Sequence, residues 1–132
     1  MSLLNNMVWA VSNLCRGKPS PKLSLIAPAV GPLSSLLYNK DVSVEVLVDT
    51  VWALSYLSDG DNERIDAVMQ AGPTQRLVEF LGDEKALPLL TPTVRCLGNF
   101  ATGSDLQTQA VLDSGFLNHL PKLLDNPRVS YQ

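Results

Sequence analysis

Three pairs of side chains stand four residues apart in this chain: Trp9 with Asn13, Trp52 with Tyr56, and Arg95 with Asn99. On a helix that spacing places both members on one face. An indole takes the methylene stem of a lysine or arginine against its ring and attracts the charged end. An amide offers donor and acceptor together, enough to bond the main chain of an extended peptide without reading its side chains. Glu45 and Asp49, again four apart, supply carboxylates for the cation at the end of such a stem, and Asn6 adds another amide before Trp9. The chemistry is that of a track for a lysine- and arginine-rich extended peptide.

The pairs recur because the chain repeats. VWAVSNLCRG ends at Gly17, VWALSYLSDG at Gly60 and VRCLGNFATG at Gly103, with 43 residues between successive glycines. A fixed period of that length marks an array of stacked helical units, an α-solenoid. Within one period, Ile65, Val68 and Met69 predict a short helix over 62–70, closed at Ala71-Gly72-Pro73; Leu77, Val78, Phe80 and Leu81 predict a second over 74–81, stopped by Gly82 and Asp83. A longer third helix is expected to enter at Thr91-Pro92, with Thr91 as N-cap, and to run to Gly103. Each unit is thus expected to hold three helices, its third ending on a glycine in left-handed backbone geometry at Gly17, Gly60 or Gly103. The divisions fall at 1–17 (a third helix), 18–60 and 61–103 (full units) and 104–132 (a first and second helix). The first full unit is less regular, with Leu33, Leu36 and Leu37 one residue early and Pro19, Pro21, Pro28 and Pro32 at its opening.

The third helices carry two faces. Val8, Val11 and Cys15, then Val51 and Leu54, then Val94, Leu97 and Ala101 are expected to be buried. The opposite face bears Asn6, Trp9, Asn13 and Arg16 in one unit and Glu45, Asp49, Trp52 and Tyr56 in the next. Third helices lining the inside of a superhelix would make this face a groove. A lone helical tryptophan is ordinarily core, and Glu45 and Asp49 alone would be a solvated face; it is recurrence beside a polar residue that selects the binding reading. At Arg95 the aromatic row is interrupted by a cation, which a local carboxylate such as Asp105 is placed to pair. Leu3 and Leu4 at one extremity and Leu120, Leu123 and Leu124 at the other are apolar where a further unit would stack, as in a segment of a longer solenoid.

Composition narrows the classes. Among 132 residues, 45% are hydrophobic and 17% charged, enough apolar surface for a folded core rather than a disordered chain. Ten basic against 13 acidic residues give a net charge of −3, which disfavours nucleic acid and anionic membrane and favours a basic partner. No apolar run has the length of a membrane span and no secretory leader is legible, so a soluble intracellular protein is expected. Cys15 and Cys96 lie in different units without companion ligands, arguing against a disulfide framework or a zinc site. His119 has no second ligand nearby and reads as a packed or surface histidine; Arg16 and Lys18 read as cations complementing a helix C-terminus. No nucleophile, base and orienting group cluster, and no phosphate-binding glycine loop is present, so neither catalysis nor a cofactor is expected.

WAVSNLCRGK at 9–18, LVDTVWALSYLSDGDNERI at 47–65 and VRCLGNFATGSDLQTQAVL at 94–112 resemble importin-α (karyopherin-α), the armadillo-repeat adaptor of nuclear import. The resemblance covers essentially the whole chain. It implies an all-α armadillo solenoid, a right-handed superhelix of three-helix repeats whose groove holds nuclear localisation signals of cargo proteins, in cytoplasm and nucleus. By that resemblance Trp9, Asn13 and Asn6 match the edge of a major signal-binding site. Glu45 and Asp49 match acidic positions between two sites, Tyr56 stands where the family often has tyrosine, and Arg95, Asn99, Thr102 and Asp105 match the start of a minor site. The family's basic importin-β-binding segment, most repeats before Asn6 and the Trp-bearing repeats after Gln132 are not in the sequence. The alternatives are an armadillo scaffold of the adhesion or signalling type, for which a basic groove is expected, and a truncated product with residual or inhibitory binding only.

Overall fold

The computed structural model describes residues 2–126 and 128; the remaining positions of the 104–132 division lie outside the described residues. The elements are α1 (Leu3–Arg16), α2 (Leu23–Leu37), α3 (Val44–Leu57), α4 (Asn62–Gln70), α5 (Thr74–Leu81), a 3-10 segment (Glu84–Leu89), α6 (Leu90–Ala101), α7 (Asp105–Asp113), a 3-10 turn (Phe116–His119) and α8 (Leu120–Leu124), with no strand among the described residues. The fold is an armadillo solenoid.

Its third helices stack side by side. α1 packs along α3 and α3 along α6, the two most extensive pairings, while α2 and α5 pack against the third helices of their own units. α3, apolar on both flanks, is therefore the centre of the molecule: Val51, Leu54 and Leu57 are fully buried, joined by Leu37, Leu77, Phe80 and Phe100. Side-chain caps fix several helix starts. Ser2, Ser43, Asp61 and Ser104 each accept from a backbone N–H three residues on, and Ser104 and Gln107 form a reciprocal capping box.

Residues 18–60 depart from the three-helix expectation. In the later units the chain turns between first and second helices at Gly72 (φ 83°) and Gly115 (φ 88°), the described positions with left-handed backbone. The matching place one period earlier holds Ala29, whose Cβ disfavours that geometry, and α2 runs on as one 15-residue helix through Pro28 and Pro32. The carbonyls those prolines deprive of a donor, on Ser24 and Pro28, belong to exposed residues open to water.

The pattern glycines also differ from expectation. Gly17 is extended (φ −64°, ψ 153°), and neither Gly60 nor Gly103 has positive φ. Close approach explains two of them: a Cβ on Gly60 would lie 2.7 Å from Arg64 Cδ, and one on Gly103 would fall on Gln107 Oε1, 2.8 Å from its Cδ, whereas Gly17 has open space. Arg64 and Gln107 are themselves one period apart and reach back across the stack. Arg64 donates from Nη1 to the Pro21 carbonyl at 2.7 Å and from Nε to Leu57 at 3.2 Å. Gln107 donates to the Asn62 carbonyl at 3.0 Å.

Thr91 is not an N-cap. The 3-10 segment leads straight into α6, which starts at Leu90, and Asp83 caps that segment by accepting from the Lys85 N–H. Val94 and Ala101, expected in the buried stripe, are exposed, because among the described residues no helix covers the flank of α6 opposite α3. Val8, Cys15, Val51, Leu54 and Leu97 are buried, and Val11 is partly so.

Candidate functional site

The stacking of α1, α3 and α6 brings Trp9, Trp52 and Arg95 into successive rungs, one per third helix. Trp9 is exposed on α1 with Asn6 and Asn13, all three on the solvent side of that helix. On α3, Trp52 is half-buried and stacks on Tyr56, centroids 5.9 Å apart with 22° between planes. The four-residue spacing alone accounts for that pairing, and it fixes the orientation of the indole.

Glu45 and Asp49 sit about two turns and one turn N-terminal to this stack, respectively. With Val44, Val48 and Pro88 they line an open depression of about 380 Å³ where α3 meets the 3-10 segment of the next unit. Partial burial raises the Asp49 carboxyl above the usual range, and the neighbouring Glu45 charge raises it further. The described ion pairs join Lys18 to Asp59, Arg76 to Glu79 and Lys122 to Glu84, so the Glu45–Asp49 pair has no cation of its own among the described residues. Two carboxylates held together without a counter-charge are poised for a cation from outside.

The rung on α6 is differently built. Arg95 is exposed and forms no ion pair with Asp105, contrary to expectation: Asp105 opens α7 and faces solvent in its first turn. Asn99 is half-buried, and its amide donates to the Ser55 carbonyl at 2.9 Å and to Ser58 Oγ at 3.4 Å. It holds α6 to the C-terminal turn of α3. Thr102 turns its hydroxyl back to the Asn99 carbonyl at 2.7 Å. Asn6, Trp9, Asn13, Glu45, Asp49, Trp52 and Tyr56 are therefore candidate ligand groups with free polar edges or ring faces, whereas Asn99 and Thr102 are already engaged.

No protein-family model matches the chain. The chain is 47% identical over 126 residues to importin subunit alpha-1b of Oryza sativa subsp. japonica, covering 96% of the chain and 23% of that protein. Importin subunit alpha-3 of Arabidopsis thaliana matches to the same extent. The chain is homologous to one segment of importin α. It spans about a quarter of the length of these curated relatives. Among solved structures, a designed armadillo repeat protein in complex with the peptide (KR)4 superposes with a TM-score of 0.80 at 32% identity, over 94% of this chain and 51% of that one.

Within this importin-α-like segment, the groups that join its units escaped sequence reasoning. Ser34 Oγ and Tyr38 Oη donate to the carbonyls of Ala71 and Gly72 at 2.8 and 2.7 Å, and Arg76 Nε caps α2 at Leu37 O at 2.8 Å while its guanidinium covers the Phe80 ring. One period after Arg76 stands His119, packed against Gly82. The 43-residue offset could have flagged both Arg64 with Gln107 and Arg76 with His119, since each pair occupies one repeat position. Cys15 and Cys96 are buried free thiols; burial pushes Cys96 up to about 12 despite a contact with Ser58. No described helix is long and apolar enough to cross a membrane.

Proposed function

We propose that this chain binds extended lysine- and arginine-rich peptides, of the kind that serve as nuclear localisation signals, along the exposed face of α1 and α3, as part of an importin-α-like import adaptor working between cytoplasm and nucleus. The observation that carries the reading is the acidic Glu45–Asp49 pair, which has no cation of its own among the described residues and whose partly buried Asp49 lies one helical turn from the Trp52–Tyr56 stack. A lysine lying along the indole would place its ammonium toward those carboxylates, and Asn13 would bond the peptide main chain. The (KR)4 peptide bound by a designed armadillo repeat protein of the same fold supports this ligand class. By the family resemblance, importin-β would engage a basic segment outside this sequence. The face has no catalytic grouping to propose.

Titrating a (KR)4 peptide while following tryptophan fluorescence tests it, since Trp9 is exposed and Trp52 half-buried on the proposed track. Binding should perturb the emission. Asp49→Lys should weaken it by at least ~1 kcal/mol, because a partner charge is lost and a like charge introduced, and added salt should weaken the unmutated complex. Affinity indifferent to both changes would remove this face as the site.

A further inference from the structure

We propose that Ser20 is a phosphoacceptor for a kinase that requires proline after its target serine, and that the phosphate it receives is held by Lys18. The segment that carries it, residues 17–22, is the non-helical link between α1 and α2 and reads GKPSPK. The later units make the same passage more tightly: Asp61 and Ser104 directly follow Gly60 and Gly103 and cap α4 and α7. Lys18 stands at their repeat position, yet α2 begins only at Leu23. The extra residues serve no packing between units that the repeat requires.

Ser20 and Thr91 are the residues of this type that precede a proline. A proline-directed groove needs extended backbone at the acceptor, which a following proline favours. It also offers no acceptor at the next position, so any residue but proline leaves a buried N–H unpaired there. Ser20 has prolines on both sides, and the link enters at Gly17 (φ −64°, ψ 153°) and leaves at Lys22 (φ −61°, ψ 139°) in extended geometry. From the inside, Arg64 Nη1 holds the Pro21 carbonyl at 2.7 Å. The shape is thus set in advance, which lowers the ordering cost of docking. Ser20 is half-buried, with Lys18, Pro19 and Lys22 exposed around it. Thr91 instead lies in the first turn of α6 between buried Leu90 and Pro92, and presenting it would unwind that turn.

In the transfer, Ser20 Oγ attacks the γ-phosphorus of ATP, the bond from that phosphorus to the bridging oxygen breaks, ADP leaves with the electron pair, and the hydroxyl proton passes to the base of the kinase. The receiving group is already in place. Lys18 Nζ donates to Ser20 Oγ at 3.3 Å and pairs with Asp59 Oδ2 at 3.2 Å. Arg16, Lys18 and Lys22 lie within four residues of Ser20, and that stretch holds no carboxylate. A phosphoserine, at about −1.5 to −2 charges, outcompetes the single charge of Asp59 for the ammonium. Modification therefore exchanges an ion pair between the exits of α1 and α3 for one inside the link, and it offsets the local excess of positive charge. The assignment does not rest on the peptide-binding reading.

The test incubates the 132-residue chain, shown to be helical by circular dichroism, with a proline-directed serine/threonine kinase and MgATP, and locates the phosphate by mass spectrometry of the intact chain and its fragments. A single phosphoryl group on Ser20 is expected, lost in Ser20→Ala and retained in Thr91→Ala. Pro21→Ala keeps the carbonyl that Arg64 holds but restores an N–H, and should slow the transfer at least about tenfold. In the phosphorus NMR titration of the phosphorylated chain, the second ionisation of a phosphoserine, ordinarily near ~6, should lie lower than in the Lys18→Ala variant by roughly 0.2–0.7 pH units, the size of an exposed ion pair. A folded chain that takes up no phosphate, uptake that persists in Ser20→Ala, or an undiminished rate in Pro21→Ala would overturn the site. Equal midpoints with and without Lys18 would overturn the capture of the phosphate by that residue.

Discussion

The guanidinium of Arg64 reaches the carbonyl of Pro21, 43 residues earlier in the chain, with Nη1 2.7 Å from the oxygen. The residue is almost fully buried and has no carboxylate partner, and its Nη2 is left without an acceptor. A cation is thus used as a strut between successive units, its stem lying where a side chain on Gly60 would otherwise stand.

The three pattern glycines should respond differently to alanine. At Gly103 the new Cβ collides with Gln107 and displaces the capping box, so Gly103→Ala should destabilise by ~1–3 kcal/mol, the range for overpacking. Gly60→Ala forces Arg64 aside and should cost less, because a flexible side chain yields more readily than a cap. Gly17→Ala meets nothing within 4 Å in extended backbone and should be neutral or stabilising by ~0.4–1 kcal/mol through the unfolded chain. Urea melts of the three variants check this order; equal losses at all three would show that close approach by Arg64 and Gln107 does not set the cost of a side chain at these positions.

Asp49 gives a pH signature. Its folded pKa is raised by partial burial and by Glu45, so the folded state holds its proton more tightly than the unfolded chain, and ionisation destabilises the fold as pH climbs through the raised value. Asp49→Asn should therefore stabilise at neutral pH, within the ~0.5 kcal/mol typical of sites outside the core, and the gain should vanish in acid where Asp49 is already neutral. Peptide affinity runs the other way: a cationic ligand prefers the carboxylate, so binding should fall as pH drops through the raised value, and Asp49→Asn should flatten that fall. Melting and titration across the acidic range measure both.

Arg95 interrupts the aromatic row without an ion pair among the described residues. Arg95→Trp should leave the melting temperature nearly unchanged and strengthen a basic peptide by ~0.5–1 kcal/mol, by adding a ring face and removing a repulsive charge. Weaker or equal binding together with a depressed melt would mean that Arg95 serves the fold and that the row is not a ligand track.

Much was legible in the sequence because periodicity is a local property. The helices at 62–70 and 74–81, the burial of Val51 and Leu54, and the rungs of Trp9, Trp52 and Arg95 follow from apolar spacing and a 43-residue offset, and each needs only neighbours close in the chain or at the same repeat position. Tertiary structure decided what depends on contact between units. Gly60 and Gly103 are glycine because Arg64 and Gln107 fold back over them, not because of their own backbone angles. Asn99 sits on the repeat face of the ligand row yet spends its amide on Ser55, since α6 has α3 beside it at that height. α2 is one helix where α4 and α5 are two, because Ala29 stands where a left-handed glycine would turn the chain. Spacing tells which face a side chain occupies; only packing tells whether that face meets water, a ligand or the preceding unit, because each of those contacts is made with atoms some 40 residues away.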